Sequence, residues 1–289
     1  MNELQLYPES VSSLWIQNLV NGLYGQIIKV KQTLFCDASP FQKVEVYETY
    51  TFGKVLCLGG GIVLTETEDT YHEMMVHPAL LMHSRPKTVC CIGGGDGGCL
   101  KELLKHADIE KIYIIEIDKL IPETIKRFFP LLAEGFDNSR TELIIDDGYN
   151  FLTSNEQGFD CILVDSFDPG GPVQSLETTD FHQIVAQRLN PGGIAVFHTD
   201  SPSIRSNYLR STIQSVSPFF ATFNPYICHI TSFPDGICSF LLCTSAKETL
   251  EQFDRERYNS IVQQCNYYND AVHRGAFLLP EHLKRIVTS

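Results

Sequence analysis

The stretch TVCCIGGGDGGCLKELLKH, residues 88–106, decides the fold. A fully apolar run enters a glycine loop, Ile92-Gly93-Gly94-Gly95-Asp96-Gly97-Gly98, and the chain leaves it in a helical pattern. Strand, glycine loop and helix in that order open a nucleotide-binding α/β unit, and the loop satisfies the GxGxxG spacing. Such loops commonly bring backbone N–H groups and a helix amino terminus up to a pyrophosphate. Asp96 opposes that use. Its carboxylate repels an anion and attracts an ammonium or sulfonium, since unit charges 4 Å apart in a partly shielded site interact by roughly 4 kcal/mol. Asp96 also suits the cap of the helix that begins near Cys99.

Outward from this unit the same alternation continues. A helical stretch, HEMMVHPALLMH (72–83), precedes it, and KIYIIEID (111–118), ELIID (142–146), DCILVD (160–165) and GIAVFH (193–198) read as further strands, with helical stretches such as 179–188 between them. This predicts an α/β fold with a doubly wound, mostly parallel sheet. Upstream, residues 23–65 alternate apolar and polar in short runs (GQIIKV, QKVEVYET, GKVLCLGGGIVLT) broken by Pro and Gly, the pattern of a small antiparallel sheet. The expected organisation is a β domain over residues 1–66 and an α/β catalytic domain over 67–289.

Composition sets the class. With 289 residues, 43% hydrophobic and 20% charged, the chain can bury one large core or two modest ones, which excludes overall disorder. No apolar run approaches the roughly 18 residues of a membrane span, and MNELQLYPES lacks a basic stretch followed by an apolar one, so a cytoplasmic protein is expected. The ten cysteines are scattered without a CxxC pair, indicating neither a zinc cluster nor a disulfide framework. Against 35 acidic residues stand 22 basic ones, a net charge of −13, the wrong sign for nucleic acid and mildly attractive to cations.

Ligands of such sheets sit outside the carboxyl ends of the strands. Those ends carry Asp96, then Glu116 and Asp118, then Asp147, then Asp165 and Asp168. Glu116, 18 residues past Gly98 and embedded among Ile114, Ile115 and Ile117, stands where an acid holds the two hydroxyls of an adenosine ribose. Asp147-Gly148 ends the next strand in a tight turn, from which a carboxylate reaches an adenine amino group; plain turn chemistry accounts for it equally well. Val164-Asp165-Ser166-Phe167-Asp168-Pro169 places two acids three apart on a loop, costly unless a cation bridges them or one takes a proton. A protonated amine is such a cation, and to become a nucleophile it must surrender a proton. Asp165, nearer the strand end, is the expected general base; Asp168 grips the amine. A Mg²⁺ site and a simple turn before Pro169 remain the alternatives.

Taken together, IGGGDGG (92–98), EID (116–118), DG (147–148), DSFDPGGP (165–172), TYHEM (70–74), SPFQ (39–42) and YYNDAVHRGAFLLP (267–280) resemble the spermidine synthase (polyamine aminopropyltransferase) family over nearly the whole chain. The resemblance implies a Rossmann-like, methyltransferase-type domain behind the β domain, assembled as a homodimer or homotetramer. It implies no metal and no permanently bound cofactor. Decarboxylated S-adenosylmethionine would be the co-substrate and a small cationic amine such as putrescine the acceptor. Gln42, Glu116, Asp147 and Pro172, with the loop glycines Gly93, Gly95 and Gly148, would contact the donor or its methylthioadenosine product, and Ser166 would lie beside the transferred group. Tyr71, His72, Asp96 and Asp168 would line the amine channel, with Asp165 as proton acceptor. By themselves His72 reads as a helix-face histidine and Tyr71 as a core aromatic.

The chain departs from the family pattern in places. Gly59 stands where the family has Asp, Val63 or Leu64 where many members have Gln, Phe233 where a Tyr usually lies near the amine, and His198 where a Gln is usual. Rival readings are an adenosylmethionine-dependent methyltransferase, an NAD-dependent dehydrogenase and a catalytically silent nucleoside-binding protein.

Overall fold

Five strands in the first part of the chain, one of them 15 residues long, each turn a buried side chain inward and hand on to the next through a tight connection. They are β1 (Trp15–Val20), β2 (Tyr24–Ala38), β3 (Lys43–Thr49), β4 (Lys54–Leu58) and β5 (Gly61–Thr65), paired antiparallel in sequence order. The computed structural model describes residues 14–20, 22–67, 69–166, 174–245 and 252–288. Ile28, Phe52, Val55, Cys57 and Ile62 pack together on the inner face of this sheet. The Asn18 side chain on β1 accepts the Ile62 N–H at 3.2 Å and donates to the Ser232 carbonyl at 2.8 Å, tying β1 to β5 and to a distant loop. At the β4–β5 hairpin Leu58 pairs with Gly61, and both intervening residues, Gly59 and Gly60, have positive φ (58° and 93°). A two-residue loop with φ > 0 at both centres is the type I′ turn, for which Asp-Gly and Gly-Gly are both suited. The departure at Gly59 is therefore a turn residue exchanged for another.

β1 begins upstream of the region read as sheet. Its inner face carries Ile16, Asn18 and Val20 and its outer face the exposed Trp15 and Leu19, so apolar residues stand on both faces and do not mark the inner one.

The second part is a seven-stranded sheet of β6 (Thr88–Gly93), β7 (Lys111–Glu116), β8 (Thr141–Ile145), β9 (Phe159–Asp165), β10 (Leu189–His198), β11 (Thr222–His229) and β12 (Ile237–Thr244), in the order β11-β12-β10-β9-β6-β7-β8. The five strands from β10 to β8 are parallel, while β12 runs antiparallel between β10 and β11. Continuous apolar runs in β6 and β9 follow from burial of both sheet faces. The helices, in chain order, are α1 (Thr70–Met82), α2 (Gly98–Leu104), α3 (Leu120–Phe128), α4 (Pro130–Ala133), α5 (Gly148–Ser154), α6 (Thr179–Arg188), α7 (Ser206–Val216), α8 (Arg255–Ile261), α9 (Asp270–Ala276) and α10 (Glu281–Thr288). Phe151, Phe181, Val185, Leu209, Ile213 and Leu283 from α5, α6, α7 and α10 pack against Cys90, Ile92, Ile162 and Val164 of the central strands. Strand alternation turns Cys91, between Cys90 and Ile92, to the opposite face.

The fold read from the sequence, a small antiparallel sheet followed by a doubly wound α/β domain, is thus present, with the reversed strand β12 added. Two compact units result: everything before Asp69 together with Ser232–Pro234, and Asp69–Thr231 with the chain from Asp235 onward. Among the described residues no helix is long and apolar enough to cross a membrane. The chain runs from β6 to β7 and β8 on one side and returns to β9 on the other, so the topological switch lies between β6 and β9, where ligands of such sheets bind.

Candidate active site

At the switch point the last residues of the two central strands face each other, Gly93 of β6 beside Asp165 of β9. Asp165 is thereby set against the glycine loop. Its Oδ1 accepts the Tyr71 hydroxyl at 2.6 Å and its Oδ2 the Cys99 thiol at 3.3 Å. Burial, and then the nearby charge of Asp96, raise the pKa of Asp165 above the usual carboxylate value; His72, Tyr71 and Cys99 pull it back. Burial and the Asp165 charge hold Tyr71 well above the ordinary phenol value, so it stays a donor.

Tyr71 and His72 come from α1, whose Met74, Met75, Val76, Leu80, Leu81 and Met82 are buried. A helix buried on all sides must find partners for each polar side chain it carries. His72 Nε2 lies 3.2 Å from Asp96 Oδ2, while Asp96 Oδ1 accepts the Gly98 N–H at 2.9 Å and so caps the start of α2. Glu73, fully buried, accepts the N–H groups of Asn266, Tyr267 and Tyr268 at 2.6–2.9 Å. His77 sits between Glu102 and His106, 3.0 Å from each. The ring of His72 lies so close to Gly98 that a Cβ at position 98 would overlap it, which is why α2 starts with glycine.

His72 is an imidazolium. Burial pulls its pKa down, but the charge and hydrogen bond of Asp96, helped by Asp165 and Glu102, push it up to about 9. Asp96, also opposed by burial, is held low by the same pair and by the Gly98 N–H. One of the carboxylates of the crevice therefore carries its own counter-ion. Because the folded pKa of His72 exceeds its unfolded value of 6.5, the pair's stabilisation is complete below pH 6.5 and is lost as pH rises through about 9. Thermal unfolding of the wild type is expected to drop by roughly 5 °C between pH 7 and pH 9.5, and a His72→Gln protein should lack that drop. Parallel curves for the two proteins would remove the ion pair.

Glu116 closes β7 and is buried; its Oε2 accepts the Gly95 N–H at 3.1 Å and its Oε1 the Asp118 N–H at 2.8 Å. Burial pushes Glu116 up to about 7 against the pull of those two N–H groups. Asp147 caps α5, with Oδ1 accepting the Asn150 N–H at 3.0 Å and Oδ2 the Ser175 hydroxyl at 3.1 Å. Gly148 follows it at the start of α5, against Ile92. Ser166 is buried, and His198 donates from Nδ1 to its carbonyl at 2.5 Å, a bond that a glutamine amide also makes.

The structure thus brings together Tyr71, His72, Gly93, Gly95, Asp96, Glu116, Asp147, Gly148, Asp165 and Ser166 along the strand ends of the second unit. Gln42 and Phe233 belong to the first unit: Gln42 closes the Ser39–Gln42 turn, where the Ser39 N–H reaches its carbonyl at 2.9 Å, and Phe233 is buried with its carbonyl accepting the Gln26 amide at 2.9 Å. Asp168 and Pro172 lie outside the described residues. Cys99 and Cys91 were not singled out by the sequence reading, yet with Asp165 they bring three potential ligand atoms within 4.8 Å of one another. The available signal was positional: Cys99 is the first residue after the glycine loop.

A Rossmann-like domain whose strand ends are lined with acids, one of them half-buried and held by two neutral donors, defines an enzyme of the adenosyl-group-binding transferase class. Residues 68–255 match the spermine/spermidine synthase domain and residues 14–66 the spermidine synthase tetramerisation domain. The chain is 34% identical over 275 residues to a polyamine aminopropyltransferase of Caldicellulosiruptor saccharolyticus, covering 95% of this chain and 98% of that one. It is 37% identical over 273 residues to a spermine synthase of Arabidopsis thaliana, covering 91% and 76%. A crystal structure of spermidine synthase in complex with the transition-state analogue AdoDATO superposes with a TM-score of 0.93 at 30% identity, covering 99% of this chain and 98% of that one. The chain belongs to the spermine/spermidine synthase family of aminopropyltransferases.

Proposed function

We propose that this protein moves the aminopropyl group of decarboxylated S-adenosylmethionine onto a small diamine such as putrescine and releases methylthioadenosine. The observation that carries the reading is Asp165, an acid of raised pKa, held on both oxygens at the switch point beside the glycine loop. The amine gives a proton to Asp165. Its freed lone pair then forms the N–C bond to the propyl carbon while the C–S bond breaks and its electrons return to sulfur, discharging the sulfonium. Positioning supplies much of the rate, since a well-aligned pair gains roughly 7–11 kcal/mol.

In this reading Glu116 binds the ribose hydroxyls, Asp147 and Gly148 the adenine edge, and Gly93 and Gly95 line the loop. Tyr71, His72, Asp96 and Ser166 border the amine and the transferred group; the family resemblance adds Gln42 and Pro172 as donor contacts and Asp168 and Phe233 as amine contacts. The His72–Asp96 pairing refines the amine's environment: Asp96 offers its charge already shared. The exposed apolar side chains of β1 and β2, Trp15, Tyr24 and Ile27 (66% exposed) among them, support self-assembly through the first unit into a homodimer or homotetramer.

The deciding assay mixes the protein with decarboxylated adenosylmethionine and a panel of diamines, agmatine and spermidine. Methylthioadenosine with an amine one aminopropyl unit larger is the expected product; S-adenosylhomocysteine from ordinary adenosylmethionine would replace this reading with methyl transfer.

The Glu116 role has its own pH signature. Ribose hydroxyls donate to the ionised carboxylate, so binding expels the proton that Glu116 holds below about pH 7. Affinity for methylthioadenosine should rise up to about tenfold per pH unit below 7 and level off above it. Calorimetry in buffers of different ionisation heat reads the proton release, and Glu116→Gln should flatten the dependence.

A further inference from the structure

We propose that Cys99 is a positioning residue of the transfer reaction: its thiol holds Oδ2 of Asp165 while the Tyr71 hydroxyl holds Oδ1, fixing the carboxylate for the incoming amine. The inference rests on Asp165 being the proton acceptor.

An ionised carboxylate has two oxygens and about four lone-pair positions. Tyr71 occupies one position on Oδ1 at 2.6 Å and Cys99 one on Oδ2 at 3.3 Å. One position on each oxygen is left, enough to take a proton from an ammonium and to keep a second hydrogen bond to it. With a single donor the carboxylate is free to turn about its Cβ–Cγ bond; with one donor on each oxygen it is not. A thiol is a weak donor to neutral acceptors, but an anionic oxygen in surroundings shielded from water strengthens the bond.

The rest of the thiol's surroundings agree. Cys99 is fully buried in the first turn of α2, directly after the glycine loop, so the helix fixes where its sulfur stands. Its sulfur lies within 4.8 Å of that of Cys91 of β6, likewise fully buried. Each thiol has one proton, and the charged oxygen is a better acceptor than sulfur. The single Cys99 proton therefore lies on Asp165. Burial holds Cys99 well above the ordinary thiol value, so it keeps its proton throughout the neutral range.

The test compares Cys99→Ala, which removes the donor, with Cys99→Ser, which keeps one. The dependence of kcat/KM for the amine on pH should show its acidic midpoint about one unit higher in Cys99→Ala, with a rate about tenfold lower on the acidic side. The dissociation constant for methylthioadenosine should not move, and Cys99→Ser should recover most of the loss. A second readout needs no turnover: ¹³C NMR of aspartate carboxyls, with the Asp165 signal assigned by its absence in Asp165→Asn, should show the Asp165 titration displaced upward in Cys99→Ala and restored in Cys99→Ser. An unmoved titration overturns the inference even if transfer is confirmed. A wild type that makes no methylthioadenosine overturns the transfer reading, while the NMR titration still decides whether Cys99 holds the carboxylate.

Discussion

Replacing Asp165 by Asn is expected to lower turnover by about 10²–10⁴-fold, the contribution of a positioned proton acceptor. Asn keeps the shape and one carbonyl oxygen but cannot take a proton from an ammonium. Its amide also turns a donor toward either the Tyr71 hydroxyl or the Cys99 thiol, both of which are donors themselves. The loss should be chemical and not structural. The folded-state pKa of Asp165 lies above its unfolded value of 3.8, so at neutral pH the charge opposes folding, and a neutral Asn should melt at the same temperature or higher. Steady-state kinetics, calorimetric binding of methylthioadenosine and a thermal melt separate the possibilities. Normal turnover in Asp165→Asn removes this residue from the mechanism.

Replacing Glu73 by Ala is expected to destabilise the protein by about 3–5 kcal/mol, the range for stripping a buried charged group from its partners. Both oxygens of this fully buried side chain are in use: Oε1 takes the Asn266 N–H at 2.7 Å, and Oε2 those of Tyr267 and Tyr268 at 2.9 and 2.6 Å. Alanine leaves three backbone donors unmet, each costing about 1–3 kcal/mol if buried. Glu73→Gln retains one acceptor oxygen and should fall between the two. Denaturant unfolding gives the difference directly, and a loss under about 1 kcal/mol would show that water reaches those N–H groups. Asn269, next in line, caps α9 by accepting the Ala271 and Val272 N–H groups, so the bond to Glu73 also anchors that helix.

These two side chains mark the limit of what a sequence discloses. The position of Asp165 was legible because it is local: the residue ends an apolar run and begins a loop. Glu116 and Asp96 were legible for the same reason, one at a strand end and one inside a glycine loop. Glu73 lies in the quoted TYHEM run, yet its partners stand 193–195 residues away, and nothing in either segment announces the other. Cys91 and Cys99 look like two of ten scattered cysteines until the strand–loop–helix turn brings their sulfurs onto one carboxylate. His72, read alone as an ordinary helix-face histidine, is a buried cation, because the sequence lists charges without saying which are neighbours. β12 was not among the runs read as strands, and its reversal has no signature in any case, since a buried strand has the same apolar run in either direction. Gln42, Phe233 and Pro172 entered only through resemblance, the first two being in the other compact unit and Pro172, like Asp168, outside the described residues.

The contact between Gly98 and the His72 ring has an evolutionary consequence. The two positions are not free to drift one at a time: a side chain at 98 is admissible only in a lineage that has already traded the imidazole at 72 for something smaller, and that trade strips Asp96 of its counter-ion. Any route away from this pair therefore passes either through an ancestor with a bare acid in its glycine loop or through one that has already given up Asp96, so descendants that have crossed it should handle cationic ligands differently from those that have not.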